Sequence, residues 1–282
     1  MASKFCYNHI MVEKYAFVSV LSTDDYLPGL LVLNKSLLNT RSKYSLDVIL
    51  TSNISKETKL ILDRNHISYS VTVQEIENPT NVDREHRWFS TYSKLAVFNQ
   101  VQYEKIIYLD ADMVVLRNID NLFLYPHMAA TNAGGQLPRK ILWTHMNSGI
   151  FVLKPSRSLF TDMMNRVGKI EYLEPGGTKD RPKYGSDQDF LNAYYPNWPN
   201  QKELHLDHQY NMFHYYADEY NRLFGYTIEN GIKPIFILHY ASHMKPWNMN
   251  EKEIEELCAD KKRHLEAEAV KLWFGLYKEI VQ

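Results

Sequence analysis

Residues 105–112 read KIIYLDAD, an unbroken apolar run followed at once by two aspartates. Such a run predicts a strand over Lys105–Leu109 that is covered on both faces, as in a parallel sheet between helices. Side chains alternate on extended backbone, so we expect Asp110 and Asp112 to face one side and Ala111 the other. Two carboxylates leaving a buried strand together repel each other, and a hard cation such as Mn²⁺ or Mg²⁺ offsets that repulsion. The stretch therefore predicts a metal site at a strand end, with a turn or capping role as the alternative.

Strands and helices alternate around this stretch in the first half of the chain. Apolar runs predict strands at Tyr15–Leu21, Leu46–Leu50 and Tyr69–Val73. Helical spacing predicts helices that begin near Tyr26, with Asp24 or Asp25 as the N-cap, and that cover Lys56–Asn65 and Tyr92–Val101. Strands separated by helices of this length predict an α/β fold with a mainly parallel central sheet flanked by helices.

The second half of the chain is less regular. It predicts strands at Ile150–Leu153 and Pro234–Tyr240, helices at Ser156–Val167 and Asp187–Tyr195, a polar loop at Glu174–Tyr184, and charged helices from Glu251 to Ile280. No repeat, low-complexity tract or linker interrupts the chain. We therefore expect one domain over 1–282, with a core of about 15–248 and a C-terminal helical segment at 249–282.

Composition excludes several classes of protein. Lys and Arg number 32 and Asp and Glu 33, so the chain lacks the basic field typical of nucleic-acid binding. No segment approaches the roughly 18 apolar residues of a membrane helix, and the N-terminus carries no signal-peptide pattern. Cys6 and Cys258 match no disulfide or metal spacing, which predicts free buried thiols and a cytoplasmic protein.

A second motif, HYASHMKPW at 239–247, also follows an apolar strand. A histidine at that position, His239, can complete the coordination of a cation held by two aspartates. The alternative is a hydrogen-bonded core histidine. Lys245 offers a point charge suited to a phosphate group.

Two further segments carry polar groups suited to a sugar. Asn147, Ser148 and a glycine stand before the strand at Ile150, where they could bond sugar hydroxyls or form an ordinary turn. The segment GSDQD at 185–189 opens a helix, and Ser186 or Asp187 could serve there as the N-cap.

Taken in order, four segments resemble one family. They are AFVSVLSTDDYLPGLLVL, TYSKLAVFNQVQYEKIIYLDADMVVLRNIDNLF, MNSGIFVLKPS, and the pair GSDQDFLNAYY with ILHYASHMKPWNM. They are similar to the glycogenin and galactinol synthase branch of the retaining, nucleotide-sugar-dependent glycosyltransferases, family eight. The resemblance spans Tyr15 to Asn248 and implies a GT-A fold with Mn²⁺, or Mg²⁺, bound by Asp110, Asp112 and His239.

The same resemblance implies a binding site for a UDP-sugar. Its uracil and ribose would contact the first-strand segment, its sugar the two polar segments, and its diphosphate the later loop. The residues implied to bind the donor, with the three metal ligands, are Val20, Ser22, Thr23, Tyr26, Lys94, Ala111, Asn147, Ser148, Asp187, Gln188, Ser242 and Lys245. Of these, Asp187, Gln188 and Lys245 are the implied catalytic residues.

Three positions depart from the family pattern. Ser242 stands where the family has a glycine in its HxxGxxKPW segment, and Tyr184 where glycogenin carries an acidic residue. An arginine that the family has before its YSK segment has only Arg84 and Arg87 as counterparts here.

The implied activity is the retaining transfer of a hexose, glucose or galactose, from a UDP-sugar to a hydroxyl acceptor. The acceptor is left open among a polyol, a glycan, a glycolipid and a protein, and a homodimer is an open oligomeric state. A metal-dependent nucleotidyltransferase is disfavoured because LSTDDYLPG lacks a Gly-rich phosphate loop. An inactive GT-A scaffold is disfavoured because Asp110, Asp112, His239 and Lys245 are all present.

Aromatic residues make up 13% of the chain, and we assign them to two roles. Tyr15, Phe17, Tyr108, Phe151 and Phe236 lie in predicted strands and are expected to be structural, whereas Tyr26 and Trp247 lie in donor-site segments. The acceptor is predicted to contact Glu174–Tyr184 and Tyr210–Tyr226. In the second segment Tyr210, Phe213, Tyr215, Tyr216 and Tyr220 are the predicted aromatic acceptor wall.

Overall fold

The computed structural model describes residues 14–72, 75–79, 90–170, 185–229 and 231–281. Its strands are β1 (Tyr15–Leu21), β2 (Leu46–Leu50), β3 (Ser68–Val71), β4 (Lys105–Leu109), β5 (Met113–Val115), β6 (Ala130–Asn132), β7 (Met146–Leu153), β8 (His205–Leu206), β9 (Met212–Phe213), β10 (Tyr226–Thr227), β11 (Lys233–Pro234) and β12 (Ile237–His239). Its α-helices are α1 (Leu27–Asn39), α2 (Lys56–Arg64), α3 (Arg157–Arg166), α4 (Asp187–Tyr194), α5 (Ala217–Phe224), α6 (Glu251–Ala259) and α7 (His264–Val281). The predicted loop Glu174–Tyr184, with Cys6, Arg84 and Arg87, lies outside the described residues.

A seven-stranded sheet in the order β3-β2-β1-β4-β7-β6-β8 forms the centre of the fold. The strands β3, β2, β1 and β4 run parallel, and β7 runs antiparallel to both β4 and β6. The mainly parallel α/β sheet predicted from the alternating pattern is therefore confirmed. Because β4 lies in the middle of this sheet, its apolar run is buried on both faces.

The strand β1 shows why the apolar runs of the central strands do not alternate between apolar and polar residues. Phe17 and Leu21 enter the apolar cluster that includes α1, whereas Ala16 and Val18 enter the cluster on the other face of the sheet. Each large apolar side chain buried in this way contributes about 1.5–3 kcal/mol to stability. Both faces of the strand therefore have to be apolar.

A second sheet, in the order β5-β12-β9, meets the first at the DxD segment. The segment leaves β4, makes a turn and enters β5, so the extended backbone predicted through Asp112 is wrong. The two carboxylates nevertheless converge, because both ends of the turn are tied to neighbouring chain. Asp110 N–H donates to Gly149 O at 2.9 Å, and Tyr240 N–H donates to Asp112 O at 2.9 Å.

Four further local predictions differ from the structure. The predicted α-helix at Tyr92–Val101 is a 3₁₀ helix at Thr91–Asn99 that is buried on nearly every side, so packing overrides the helical period. The predicted capping by Asp24 or Asp25 is wrong, because Asp24 Oδ1 accepts from Ser55 N–H at 3.2 Å instead.

Two strands also differ in extent. The strand predicted at Ile150–Leu153 is longer, because β7 begins at Met146, which pairs with Asn132 of β6. The strand predicted at Pro234–Tyr240 is divided into β11 and β12.

The C-terminal helix α7 packs on α1 and on the second sheet. Val32 of α1, Tyr240 and Trp273 of α7 share one apolar cluster, and Tyr240 OH donates to Ala269 O at 2.7 Å. Cys258 on α6 is a free, exposed thiol, so the buried thiol predicted there is wrong. Among the described residues, no helix is both long and apolar enough to cross a bilayer.

Candidate active site

Asp110, Asp112 and His239 form a compact cluster at the carboxyl end of β4. One ligand atom from each lies within 4.8 Å of the others. His239 Nε2 is 3.2 Å from Asp112 Oδ1 and 3.8 Å from Asp110 Oδ2. The histidine reaches the aspartates because β12 pairs with β5 in a register that sets His239 beside Met113. The predicted trio is therefore brought together.

Two buried lysines neutralise the two aspartates. Lys245 Nζ lies 2.6 Å from Asp112 Oδ2, and Lys94 Nζ lies 2.9 Å from Asp110 Oδ1. Lys94 also contacts Asp187 Oδ2 at 2.7 Å, so it joins two carboxylates. Lys245 is therefore buried and held in place by Asp112.

Burial and charge act in opposition on these groups. Burial raises the pKa of Asp110 above its ordinary value, although the Lys94 charge opposes this. Burial acts on Asp112 in the same sense, but the neighbouring His239 and Lys245 outweigh burial and hold the pKa of Asp112 below its usual range. The neighbouring carboxylates in turn keep the pKa of Lys94 and of Lys245 raised despite burial. At neutral pH Asp112 is therefore an anionic oxygen donor.

A chain of hydrogen bonds determines which nitrogen of His239 faces the aspartates. Gly149 N–H can only donate, and it bonds Asn147 Oδ1 at 2.9 Å. Asn147 Oδ1 is therefore an acceptor, so the group 2.8 Å from it is the amide nitrogen of Asn211. The carbonyl Oδ1 of Asn211 consequently faces His239 Nδ1 at 2.8 Å, and that nitrogen carries the proton. In neutral His239 the lone pair of Nε2 then points toward the carboxylates.

The cluster suits a hard divalent cation. It offers two carboxylates and one imidazole nitrogen with its lone pair directed inward. Mg²⁺ prefers an all-oxygen shell, whereas Mn²⁺ accepts an imidazole beside oxygen ligands. The donor set therefore fits Mn²⁺ better than Mg²⁺.

The polar segments predicted to meet a sugar lie beside this cluster. Ser148 Oγ donates to Asp187 Oδ2 at 2.7 Å, and Ser148 N–H donates to Gln188 Oε1 at 3.2 Å. Ser186 is the N-cap of α4, and Asp189 Oδ2 accepts its backbone N–H at 2.7 Å. Asp187 and Gln188 are thus released from capping and face β7.

Within the described part of the chain, the residues predicted to bind the nucleotide make fewer side-chain polar contacts than the residues around Asp110 and Asp112. Tyr26 contacts Trp247 edge-on, with ring centroids 5.6 Å apart, and Lys245 Nζ lies 5.4 Å from the Tyr26 ring. Ser22 Oγ donates to Ser90 Oγ at 3.1 Å, and Val20 is partly buried against the core. Thr23 precedes the first 3₁₀ turn without a side-chain capping bond.

Two residues that were predicted to contact the donor have side chains that contact other parts of the protein. The Ala111 side chain is buried in the main core, and Ser242 Oγ bonds the carbonyl of Met244.

Sequence reasoning missed three residues of the site. Tyr108, assigned to the core, donates its hydroxyl to Asp110 Oδ1 at 2.8 Å, and burial raises its pKa so that the hydroxyl stays protonated. Asn211 orients His239, and Thr131 Oγ1 accepts from the same Asn211 amide at 3.0 Å. A lone Asn between Tyr210 and Met212 gives no motif from which its role could be read.

The predicted aromatic wall is only partly correct. Tyr210 is buried in the core and bonds Asn121. Tyr220 is also buried and bonds Gln136, but it lines the pocket beside Phe213 and Tyr216. Phe213, Tyr215 and Tyr216 contact one another and are partly exposed.

An open pocket lies beside this aromatic group. Asn147, Asn211, Phe213 and Tyr216 line one side of it, and residues 131–137 contribute to the rest. Since Asn211 also touches His239, the pocket adjoins the predicted metal ligands.

A comparison with known families matches residues 17–134 and 140–251 to glycosyl transferase family 8. The chain belongs to this family. The glycogenin-like resemblance drawn from the sequence is confirmed.

Two curated relatives illustrate the range within family 8. Inositol phosphorylceramide glucuronosyltransferase 1 of Arabidopsis thaliana is 32% identical over 192 residues, which are 67% of this chain and 32% of the relative. Glycogenin-2 of Homo sapiens is 28% identical over 288 residues, 96% of this chain and 52% of the relative. The chain thus spans a third to a half of the length of these two proteins.

The fold is shared with a solved glycosyltransferase structure. Galactosyltransferase LgtC, crystallised with donor and acceptor sugar analogues, superposes with a TM-score of 0.58 at 16% identity, covering 95% of this chain and 96% of the other. This likeness confirms the predicted GT-A fold.

Proposed function

We propose that this family 8 glycosyltransferase moves a hexose unit from a UDP-sugar to a hydroxyl acceptor, with Mn²⁺ and with retention of configuration. The observation that carries the proposal is the cluster of Asp110, Asp112 and His239 with Lys245 paired to it. A metal-bound diphosphate needs such a site, in which carboxylates hold the cation and a lysine charge lies beside them.

The transfer breaks the bond between the anomeric carbon and a β-phosphate oxygen, and the electron pair stays on that oxygen. When bound, the cation supplies charge that stabilises the diphosphate as it leaves. Lys245 Nζ, fixed by Asp112 and by Tyr240 O at 2.7 Å, adds a second positive charge and a hydrogen-bond donor. His239 acts as a ligand and not as a general base.

Retention of configuration follows in this proposal from attack on the same face. The acceptor oxygen bonds the anomeric carbon, and the acceptor proton passes to the departing phosphate oxygen. Asp187 Oδ2 is held by Lys94 and Ser148, which suits a residue that positions the sugar better than one that attacks it. Gln188 is likewise oriented by Ser148 N–H, so both fit sugar positioning.

The donor sugar is proposed to be glucose, galactose or glucuronate. The first two follow from the glycogenin-like segments. Glucuronate is added because the Arabidopsis relative is named a glucuronosyltransferase. Release of UDP from a panel of these three UDP-sugars decides among them.

The acceptor is proposed to be a polyol, glycan, glycolipid or protein hydroxyl that reaches the sugar from the pocket beside Phe213 and Tyr216. Aromatic faces of this kind stack on sugar rings. Intact mass after incubation with the donor shows whether the chain glycosylates itself. Added polyols, oligosaccharides and glycolipids then cover the other classes.

The Asp112→Asn variant tests the metal assignment. It keeps the shape of the side chain but removes the anionic oxygen, so we expect Mn²⁺-dependent UDP binding to weaken at least about 100-fold and transfer to be lost. Isothermal titration with UDP, with and without Mn²⁺, measures this. The matched control is Asp162→Asn, which removes an exposed carboxylate paired with Arg166.

Full activity of Asp112→Asn in the presence of a chelator would contradict the metal assignment. Failure of the natural chain to bind UDP would favour the inactive scaffold. Pyrophosphate release from a nucleoside triphosphate and a sugar phosphate would favour the nucleotidyltransferase.

A further inference from the structure

The β6–β7 hairpin extends beyond the sheet at the end of its strands where the metal cluster lies. Beyond the last paired residues, Ala133 N–H donates to His145 O at 2.8 Å and Gly134 N–H donates to Trp143 O at 2.9 Å. A Cβ at Gly134 would lie 2.2 Å from Lys140 O, so only glycine lets the hairpin close. The segment 133–145, here called the tip, is therefore built by backbone bonds.

The tip presents two large apolar side chains to solvent. Leu142 is 88% and Ile141 65% exposed, and Trp143 beside them is partly exposed. Exposed aliphatic side chains next to a tryptophan are typical of segments that enter the boundary of a lipid bilayer.

The charge of the tip has one sign. Its thirteen residues, AGGQLPRKILWTH, include Arg139 and Lys140 but no Asp or Glu, although the whole chain carries a net charge of −1. Lys140 Nζ lies 4.6 Å from the Tyr216 ring and 5.6 Å from the Trp143 ring, and Arg139 pairs with Glu219. Glu219 balances the charge of Arg139, whereas Lys140 is held beside the apolar residues, where an anionic lipid headgroup would meet it.

The apolar part of the tip is too small for a stable protein partner. Such interfaces bury about 800 Å² on each side and involve about 20–30 residues. A bilayer needs only a few inserted side chains with cations at the headgroup level.

We infer that the tip, with Ile141 and Leu142 inserted and Lys140 at the headgroups, binds this enzyme to an anionic lipid surface. Gly134, Gly135 and Leu137 of the same hairpin line the pocket beside the metal cluster. Bound in this way, the enzyme directs that pocket toward acceptors carried by the membrane. This consequence for the acceptor rests on the proposed function, whereas the binding itself does not.

Flotation with lipid vesicles tests the inference without donor or acceptor. Phosphatidylcholine vesicles that contain phosphatidylserine should bind the natural chain, and vesicles of phosphatidylcholine alone should bind it much less. The double variant Ile141→Ser, Leu142→Ser should lower the partition coefficient at least about tenfold, because it removes the inserted apolar area. Lys140→Gln should lower it by a smaller factor and weaken its salt dependence.

Leu124→Ser is the matched control. Leu124 is 85% exposed, and it lies near the start of β4, where Lys105 Nζ bonds the carbonyls of Phe123 and Tyr125. This is the opposite end of the sheet from the tip, so vesicle binding should be unchanged.

Three outcomes would overturn the inference: no binding to anionic vesicles, equal binding to both kinds of vesicle, or equal loss with Leu124→Ser. The first would leave the tip as a contact for a protein. Hydrolysis of the donor without vesicles is measured in parallel and should be the same in all variants. Its absence would refute the proposed function and leave the vesicle result standing.

Discussion

Asn211 controls the chemistry of His239 through a single hydrogen bond. Its carbonyl oxygen holds the proton on Nδ1, and its amide is fixed by Asn147 and Thr131. Groups that orient a metal-binding histidine in this way typically change metal affinity by about 10–100-fold when they are removed. A residue outside every recognised motif thus determines whether Nε2 is available to a metal.

The Asn211→Leu variant removes both halves of this interaction and keeps the number and branching of the non-hydrogen side-chain atoms. We expect Mn²⁺ affinity to fall about 10–100-fold, because neither the tautomer nor the ring orientation of His239 remains fixed. Electron paramagnetic resonance of free Mn²⁺ in a titration measures this. Asn121→Leu is the control, since it removes an amide bond to Tyr210 at the other end of the sheet. Equal Mn²⁺ affinity in the two variants would contradict the role of Asn211.

At the scale of elements, the site exists because three strands meet closely. The strand β7 passes beside both β4 and the end of β12, and this approach requires Gly149. A Cβ there would lie 2.6 Å from Cε1 of His239. Gly149 is thus required for the packing of the site, and the residues before it in β7 are the ones proposed to contact the sugar.

The Gly149→Ala variant tests this close approach. The added methyl group must displace the His239 ring, so we expect Mn²⁺ affinity to fall at least about tenfold and stability to fall by about 1–3 kcal/mol. Metal titration and urea unfolding measure the two effects. Gly275→Ala on α7 is the matched control, because its Cβ would meet nothing within 4 Å.

The control should raise stability by about 0.4–1 kcal/mol and leave Mn²⁺ binding unchanged. Unaltered metal binding in Gly149→Ala would show that β7 can move away from β12, contrary to this account.

At the scale of the whole molecule, buried histidines make stability depend on pH. Burial, with a contribution from the Lys154 charge, lowers the pKa of His127 from 6.5 to about 4. The unfolded chain therefore takes up this proton at a higher pH than the folded chain. The stabilising contribution is complete above pH 6.5 and is lost as the pH falls toward 4.

The His127→Asn variant isolates this contribution, because the Asn oxygen can still accept the Lys154 N–H that now bonds His127 Nδ1. Between pH 6.5 and about 4 we expect the variant to lose on the order of 2 kcal/mol less unfolding free energy than the natural chain. Urea unfolding over this range measures both. If the unfolding free energies of the two proteins changed with pH in the same way, the role of His127 would be contradicted.

Local patterns predicted the elements that position the site. Apolar runs gave β1, β2 and β4 with the observed bounds, because burial on both faces leaves a signal in consecutive residues. The 3₁₀ helix at Thr91–Asn99 and the polar start of β7 were not predicted, since neighbours distant in sequence impose them.

The same division holds for the site. The resemblance to the family predicted that Asp110, Asp112 and His239 meet, whereas the residues alone left a turn or cap and a core histidine as alternatives. Tyr210 and Tyr220 could not be separated from Phe213 and Tyr216, because burial of a tyrosine depends on what packs over it. The pairing of Lys94 and Lys245 likewise needs three elements in place.

The sequence by itself determined the family, the GT-A fold and the three predicted metal ligands, because these are encoded in short runs of chain. Only the tertiary structure decided the tautomer of His239. That tautomer depends on Asn211, which lies 28 positions before His239, and on Asn147, which lies 64 positions before Asn211. It also placed the apolar, basic hairpin beside the pocket. Such contacts arise when strands cross, and no local pattern of residues records which side chains then meet.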